Sequence, residues 1–165
     1  MNHEYFMKKA LDQAQTALNK KEFPVGCVIV HENKVIAAGI RKGSANSFAG
    51  ETDHAEMVAL RNLEALNFDI NRNDVSLYCT MEPCLMCFGA ILLSNIGTIV
   101  YAYEDVMGGA ARCKRNLLAP LYRREIAIIP NIMRIQSLNL FKSFFSDPEN
   151  KYWKGSLLAD YTLKQ

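Results

Sequence analysis

Two short stretches of the 165-residue chain combine residue types that can do chemistry together: His54-Ala55-Glu56 and Pro83-Cys84-Leu85-Met86-Cys87. A helical pattern begins at each. Residues three apart on a helix share a face, so Cys84 and Cys87 would present two sulfurs to one point. At a helix N-terminus the unpaired N–H groups and the dipole favour negative charge and lower a thiol pKa. Two thiolates and one imidazole suit Zn²⁺, at about 2.3 Å to S and 2.0 Å to N. Three protein ligands leave the fourth tetrahedral position open, which marks a catalytic rather than a structural site. Glu56 stands two residues after His54, and in mid-helix such side chains would diverge by about 200°. They converge only if the ion lies in front of the first turn, which makes Glu56 a base beside the metal and not a ligand. Two other uses of the cysteines stand beside this one. One is a redox pair, although Pro83 precedes the C-x-x-C and no thioredoxin-like context surrounds it. The other is a structural zinc completed by Cys79, Cys113 or His31.

The elements that must position these residues follow from periodicity. Phe6, Met7, Ala10, Leu11, Ala14, Ala17 and Leu18 recur at helical spacing, which predicts a helix over Glu4 to Asn19. Val25 to Val30 and Lys34 to Ile40, joined by the turn His31-Glu32-Asn33, read as a β-hairpin. Helices are expected over His54 to Leu66 and Cys84 to Ser94, and strands over Val75 to Met81, Thr98 to Tyr103 and Ile126 to Ile129. Helical patterns return at Gln136 to Phe145 and Tyr152 to Leu163, separated by Asp147-Pro148. This order calls for a three-layer α/β/α sandwich with a central mixed sheet.

Length and composition fit one globular domain, with 50% hydrophobic and 22% charged residues. A net charge of +2 excludes a chain that coats nucleic acid by charge alone, though not a local basic patch. Five cysteines, without a secretory leader pattern, argue against a disulfide scaffold and for a reducing, cytoplasmic compartment. No apolar run is long enough to span a membrane. Cys27 and Cys79 alternate with apolar residues and read as core. Cys113 is unassigned, His3 reads as a surface residue and His31 as a turn residue.

The pair H-x-E and P-C-x-x-C is the signature of the zinc-dependent nucleobase deaminases. The likeness extends to Phe23-Pro24-Val25-Gly26-Cys27-Val28-Ile29-Val30, to His54 through Arg61, to Met81 through Ala90 and to Ser94-Asn95-Ile96-Gly97-Thr98-Ile99-Val100-Tyr101. In these stretches the chain resembles bacterial tRNA adenosine deaminases, with guanine deaminases as near relatives sharing the same frame. The resemblance covers residues 4 to 130. It implies a cytidine deaminase-like fold with a five-stranded sheet, and a deaminase domain over 1–150. The extension 151–165 would pack on that domain or on a partner subunit. It also implies Zn²⁺ on His54, Cys84 and Cys87, with Glu56 moving protons while an activated water attacks the ring carbon that bears the amino group. The products are a ring carbonyl and ammonia. The N–H groups of Ala55 and Cys84 and the carbonyl of Glu82 are expected beside the base. A homodimer is expected from the same resemblance.

The chain departs from its relatives in several places. Asp53 replaces a small residue. The Asn that reads purines in a G-x-N context is absent, and the equivalent stretch is Gly39-Ile40-Arg41. Asn46 from the following loop, or Arg41, is then the candidate for reading the substrate, and an exposed Arg41 with no such role is the alternative. The segment Tyr152-Trp153-Lys154-Gly155-Ser156-Leu157-Leu158-Ala159-Asp160-Tyr161 is an addition, placed to cover the active site, to swap across a dimer or to pack on its own domain. Three functions fit these features. The first is deamination of adenine in a tRNA anticodon loop, gripped by basic residues among Arg112, Lys114, Arg115, Arg123 and Arg124. The second is deamination of a free base, nucleoside or nucleotide, and the third an inactive zinc-bearing partner subunit. An intact Glu56 argues against the third.

Overall fold

The computed structural model describes residues 2–45, 50–67 and 69–165. Helix α1 (His3–Asn19) comes first, its N-terminus capped by the Asn2 side chain, which accepts from the Tyr5 N–H. Strands β1 (Gly26–His31) and β2 (Lys34–Ile40) form the hairpin. Glu32 and Asn33 both take positive φ at its tip, as the twist of a tight two-residue turn demands. Then come α2 (Ala55–Ala65), β3 (Ser76–Met81), α3 (Leu85–Leu93), β4 (Thr98–Tyr103), β5 (Ala127–Ile129), α4 (Arg134–Ser146) and α5 (Leu157–Leu163).

The five strands lie in the order β2-β1-β3-β4-β5. β1 runs antiparallel to β2 and β3, while β3, β4 and β5 are parallel, so the sheet is mixed as expected. Alternation of side chains sorts the two faces. Cys27, Ile29, Leu77, Cys79, Ile99 and Tyr101 pack in one buried cluster with α2 and α3. Val28, Val30, Tyr78, Val100 and Ala102 pack in another with Phe6, Met7, Ala10 and Leu11 of α1. α4 adjoins α1, β3 and β4, and α5 adjoins α4. Gly39 allows a close approach: a Cβ there would lie 2.2 Å from the carbonyl oxygen of Ala55. The first turn of α2 can therefore press onto β2.

The sequence places α5 too early. Tyr152 to Gly155 form turns and the helix starts at Leu157, capped by Ser156. Trp153 and Gly155 both have positive φ, which no helix continues through. Beyond that turn the C-terminus is anchored. Leu158 and Thr162 are buried, and Tyr103 and Thr162 share a hydroxyl hydrogen bond of 3.0 Å. Glu104 at the end of β4 accepts from Arg134 Nε at 2.8 Å and from the Tyr161 hydroxyl at 2.7 Å. Burial pushes the Glu104 carboxyl up, but the bonds from Arg134 and Tyr161 outweigh it and hold it at about 2. Because that lies below the ordinary carboxylate value, this anchor stabilises the fold fully at neutral pH. Its contribution fades as pH falls from about 4 through 2. Urea midpoints measured across that window should fall less steeply in Glu104→Gln than in wild type. At pH 7 the variant should be weaker by about 1 kcal/mol, because solvent screens this partly exposed pair.

Candidate functional site

The strand order brings the C-terminal ends of β3 and β4 together with the start of β1 and the end of β2. Open α/β sheets place their crevices at such strand ends. Two helices begin there. His54 is the N-cap of α2, with extended backbone (φ −66°, ψ 152°), and its carbonyl accepts from the Val58 N–H at 2.9 Å. Cys84 is the N-cap of α3, also extended, and its carbonyl accepts from Phe88 at 2.8 Å. The mid-helix divergence of His54 and Glu56 therefore does not arise, because His54 stands outside the helix and Glu56 inside its first turn. Cys87 lies one turn along α3 and is buried.

His54 Nδ1 is 3.5 Å from the sulfur of Cys84 and 3.5 Å from that of Cys87. The three donor atoms lie within 4.8 Å of one another. Bonds of about 2.3 and 2.0 Å at a tetrahedral angle require N···S edges of roughly 3.5 Å, so the donors already stand at a zinc-sized spacing. Their ionisation fits a cation too. A hydrogen bond from the Cys87 thiol, against burial and helped by His54, brings Cys84 down to about 4. Its bond to Cys84, together with burial, pushes Cys87 up. The Cys84 contact, opposed by burial, raises His54.

Glu56 is only 3% exposed, and burial raises its carboxyl above the ordinary range. A buried carboxyl that holds a proton more readily than usual can both accept one and return it. Cys27 and Cys79, opposite each other in the β1–β3 ladder, are fully buried on the face that carries α2 and α3. Burial raises both thiols, so they remain neutral. Cys113 is half-buried and packs against the same cluster.

The pocket beside these residues is lined by Phe23, Val25, Arg41, Met81, Asp105, Gly108, Tyr152 and Trp153 as well as His54, Ala55, Glu56, Glu82 and Cys84. Ala55, Glu82 and Arg41, expected beside the base, therefore all lie in its wall. Asn46 falls outside the described residues. Arg41 is 2% exposed, so the alternative of an exposed arginine is corrected. Its guanidinium donates to the carbonyls of Lys42 (2.7 Å) and Gly50 (2.6 Å), to Glu51 (3.3 Å) and to the Tyr152 hydroxyl (3.2 Å). Asp53 turns outward to Arg61 at 2.6 Å.

Sequence reasoning missed Asp105 and the wall formed by Phe23, Met81 and Gly108. The Glu82 carboxylate accepts from the N–H groups of Asp105 and Ala111, and Asp105 accepts from Met107 and Gly108. These bonds fold the 105–111 loop against Cys84, which bridges to Gly109. The signal was present in Asp105-Val106-Met107-Gly108, an acidic residue able to accept from backbone two and three positions on. A larger groove of about 530 Å³, lined by Leu18, Lys21, Ser44, Phe144 and Tyr152 among others, holds no metal-ligand cluster among the described residues.

A mixed α/β/α sandwich with two thiols, an imidazole and a buried carboxyl at its strand ends defines a metal-dependent hydrolytic enzyme. The family model for the cytidine and deoxycytidylate deaminase zinc-binding region matches residues 1–103. The chain belongs to this deaminase family, and it is an enzyme acting on nucleobases with a zinc-binding site at which His54, Cys84 and Cys87 are positioned to hold the ion. It is 32% identical over 142 residues to a tRNA-specific adenosine deaminase of Streptococcus pyogenes, covering 86% of this chain and 88% of that one. A solved structure from work on A-to-I editing by tRNA:A34 deaminases at the wobble position is 30% identical, with a TM-score of 0.70. That match covers 82% of this chain and 98% of the other. The guanine deaminase of Nitrosomonas europaea, 21% identical with a TM-score of 0.67 over 86% of this chain and 83% of its own, shares the fold.

Elemental analysis should find about one zinc per chain in wild type and in Glu56→Ala, and less than about a tenth of that in Cys87→Ala. Loss of zinc from Glu56→Ala to the level of Cys87→Ala would make Glu56 a ligand.

Proposed function

We propose that this enzyme hydrolyses the ring amino group of an adenine in a tRNA anticodon loop, leaving a ring carbonyl and releasing ammonia. The observation that carries the reading is the buried Glu56 beside the His54, Cys84 and Cys87 donors, in a chain similar along most of its length to tRNA-specific adenosine deaminases. His54, Cys84 and Cys87 hold the metal. Bound zinc supplies Lewis-acid activation of water near neutral pH. Glu56 takes one proton of the water on a carboxylate oxygen and passes it to the ring nitrogen, then takes the remaining hydroxyl proton of the addition product and delivers it to the amine, which leaves as ammonia as the ring carbonyl forms. The N–H of Ala55, the N–H of Cys84 and the carbonyl of Glu82 orient the base, while Phe23 and Met81 exclude bulk water.

The partners and setting belong to the same proposal. Of the basic residues in the 112–124 stretch, Arg115 pairs with Glu125, Arg123 donates to Leu118, and Arg124 donates to Ile96 and Asn73. Arg112 and Lys114 are exposed and are the ones assigned to phosphate contacts. Residues 1–150 are the deaminase domain, and 151–165 pack on it within the same chain. The protein is a homodimer joined through the exposed apolar side of α3, where Leu85 is 63% and Leu93 49% exposed. Five free thiols support a reducing, cytoplasmic setting. No helix among the described residues is long and apolar enough to cross a membrane.

A second reading, deamination of a free base or nucleoside, is favoured by one observation: Tyr152 and Trp153 wall in the pocket. An ammonia-release panel of tRNA, adenine, guanine, cytosine and their nucleosides separates the two. The expected result is turnover of tRNA, with inosine at the modified position and a loss of about 10³-fold in Glu56→Gln. Turnover confined to free compounds would transfer the activity to the second reading, and no turnover by zinc-loaded protein would defeat both.

A further inference from the structure

The pocket beside Glu56 holds only about 70 Å³ of free space. That is about a quarter of the ~300 Å³ at the lower end of small-molecule sites. The side chains that bound so small a cavity decide what can enter it. Most of those walls are strand ends and helix N-termini that cannot withdraw. Tyr152 and Trp153 are different, since they belong to the turn between α4 and α5.

That turn is built as a unit. Tyr152 and Trp153 stack with centroids 5.1 Å apart and planes 12° from parallel. Both lie against Phe23, at 5.5 and 5.6 Å. Asn150 closes the turn on itself, accepting from the Tyr152 N–H and donating to the Tyr152 carbonyl. Its ends are fixed by Phe144 of α4 on one side and Leu158 of α5 on the other, both buried. Gly155, at φ +71° with no atom within 4 Å of where a Cβ would stand, supplies a free pivot. Tyr152 also lines the 530 Å³ groove, so its ring is shared between the pocket and that groove.

One polar cluster holds this ring down. Tyr152 donates from its hydroxyl to Glu51 at 3.1 Å and accepts from Arg41 at 3.2 Å. Arg41 also donates to Glu51, and its guanidinium lies 5.8 Å from the Tyr152 ring centroid. Arg41 is itself locked by the carbonyls of Lys42 and Gly50.

We propose that residues 150–155 form a latched strap over the deaminase pocket, that it must lift before a base reaches Glu56, and that the Arg41–Glu51–Tyr152 cluster is the latch that sets which size of substrate enters. Arg41 and Tyr152 are then specificity-determining through the gate. The proposal rests on the deaminase reading only in taking this pocket as the place where the base reacts. Lifting Tyr152 joins the pocket to the groove beside it, which gives a nucleotide embedded in RNA a path that a closed strap denies.

Trp153 is the chain's one tryptophan, so its fluorescence reports the strap directly. In zinc-loaded full-length protein, Tyr152→Phe keeps the stacked ring and removes the latch bonds, and Glu51→Ala removes the exposed acceptor without touching the pocket. Both should at least double the acrylamide quenching constant of Trp153. Both should also raise the ratio of kcat/KM for an adenine-containing anticodon stem-loop to that for adenosine by at least threefold. Quenching equal to wild type in both variants would overturn the latch, as would a ratio that stays fixed while the quenching rises. If neither probe is turned over, the tRNA reading fails, and the Trp153 quenching still decides for or against the strap.

Discussion

Everything in this fold answers to one requirement: two helices must begin at the same point. A thiolate pair and an imidazole can hold one ion only if their backbones approach from different directions. The helix N-terminus is where unpaired N–H groups and the dipole make thiolates least costly. His54 and Cys84 occupy equivalent places, each an extended N-cap, and Cys87 follows one turn later. β1 and β3 lie side by side in the sheet, so the helices that follow β2 and β3 are neighbours. Gly39 lets α2 press against β2, and the Glu82 carboxylate folds the 105–111 loop onto Cys84. The same geometry frees Glu56 from ligation. At the second position of the helix, two residues after His54 outside it, its carboxyl is buried beside the three donors and is not one of them.

The sequence made the frame legible where a local pattern decides the structure. β2 and β4 match their expected bounds residue for residue, because alternation and the flanking turn residues agree. The donor trio was readable because each member is named by its immediate neighbours. Arg41 was not. Its guanidinium is fixed by partners up to 111 residues away, and no local pattern separates an exposed arginine from one buried under a tyrosine. The helix read from Tyr152 failed for a related reason. Tyr152, Trp153, Leu157 and Tyr161 keep helical spacing, but Trp153 and Gly155 take left-handed backbone because the aromatic pair must turn toward Phe23.

Phe23 connects these two levels. Its ring meets Phe141, Phe144 and Phe145 of α4 and both aromatic residues of the strap, while lining the pocket. Through it the C-terminal third of the chain, which lies beyond the stretch matched by the family model, becomes part of the active-site wall. The ion pair of Arg134 with Glu104 and the Tyr161 hydroxyl fix the far end of that segment. The turn between α4 and α5 is thus, like the 105–111 loop, a part of the wall held by side-chain contacts rather than by the sheet.

The central claim is that two sulfurs and one imidazole nitrogen hold the zinc and leave one position for water. X-ray absorption at the zinc edge of the loaded protein tests it most directly. The account predicts two sulfur scatterers at about 2.3 Å and two nitrogen or oxygen scatterers at about 2.0 Å, one of them exchangeable. A shell of three or four sulfurs would contradict it. It would bring Cys27, Cys79 or Cys113 into the site and close the position at which water must be activated.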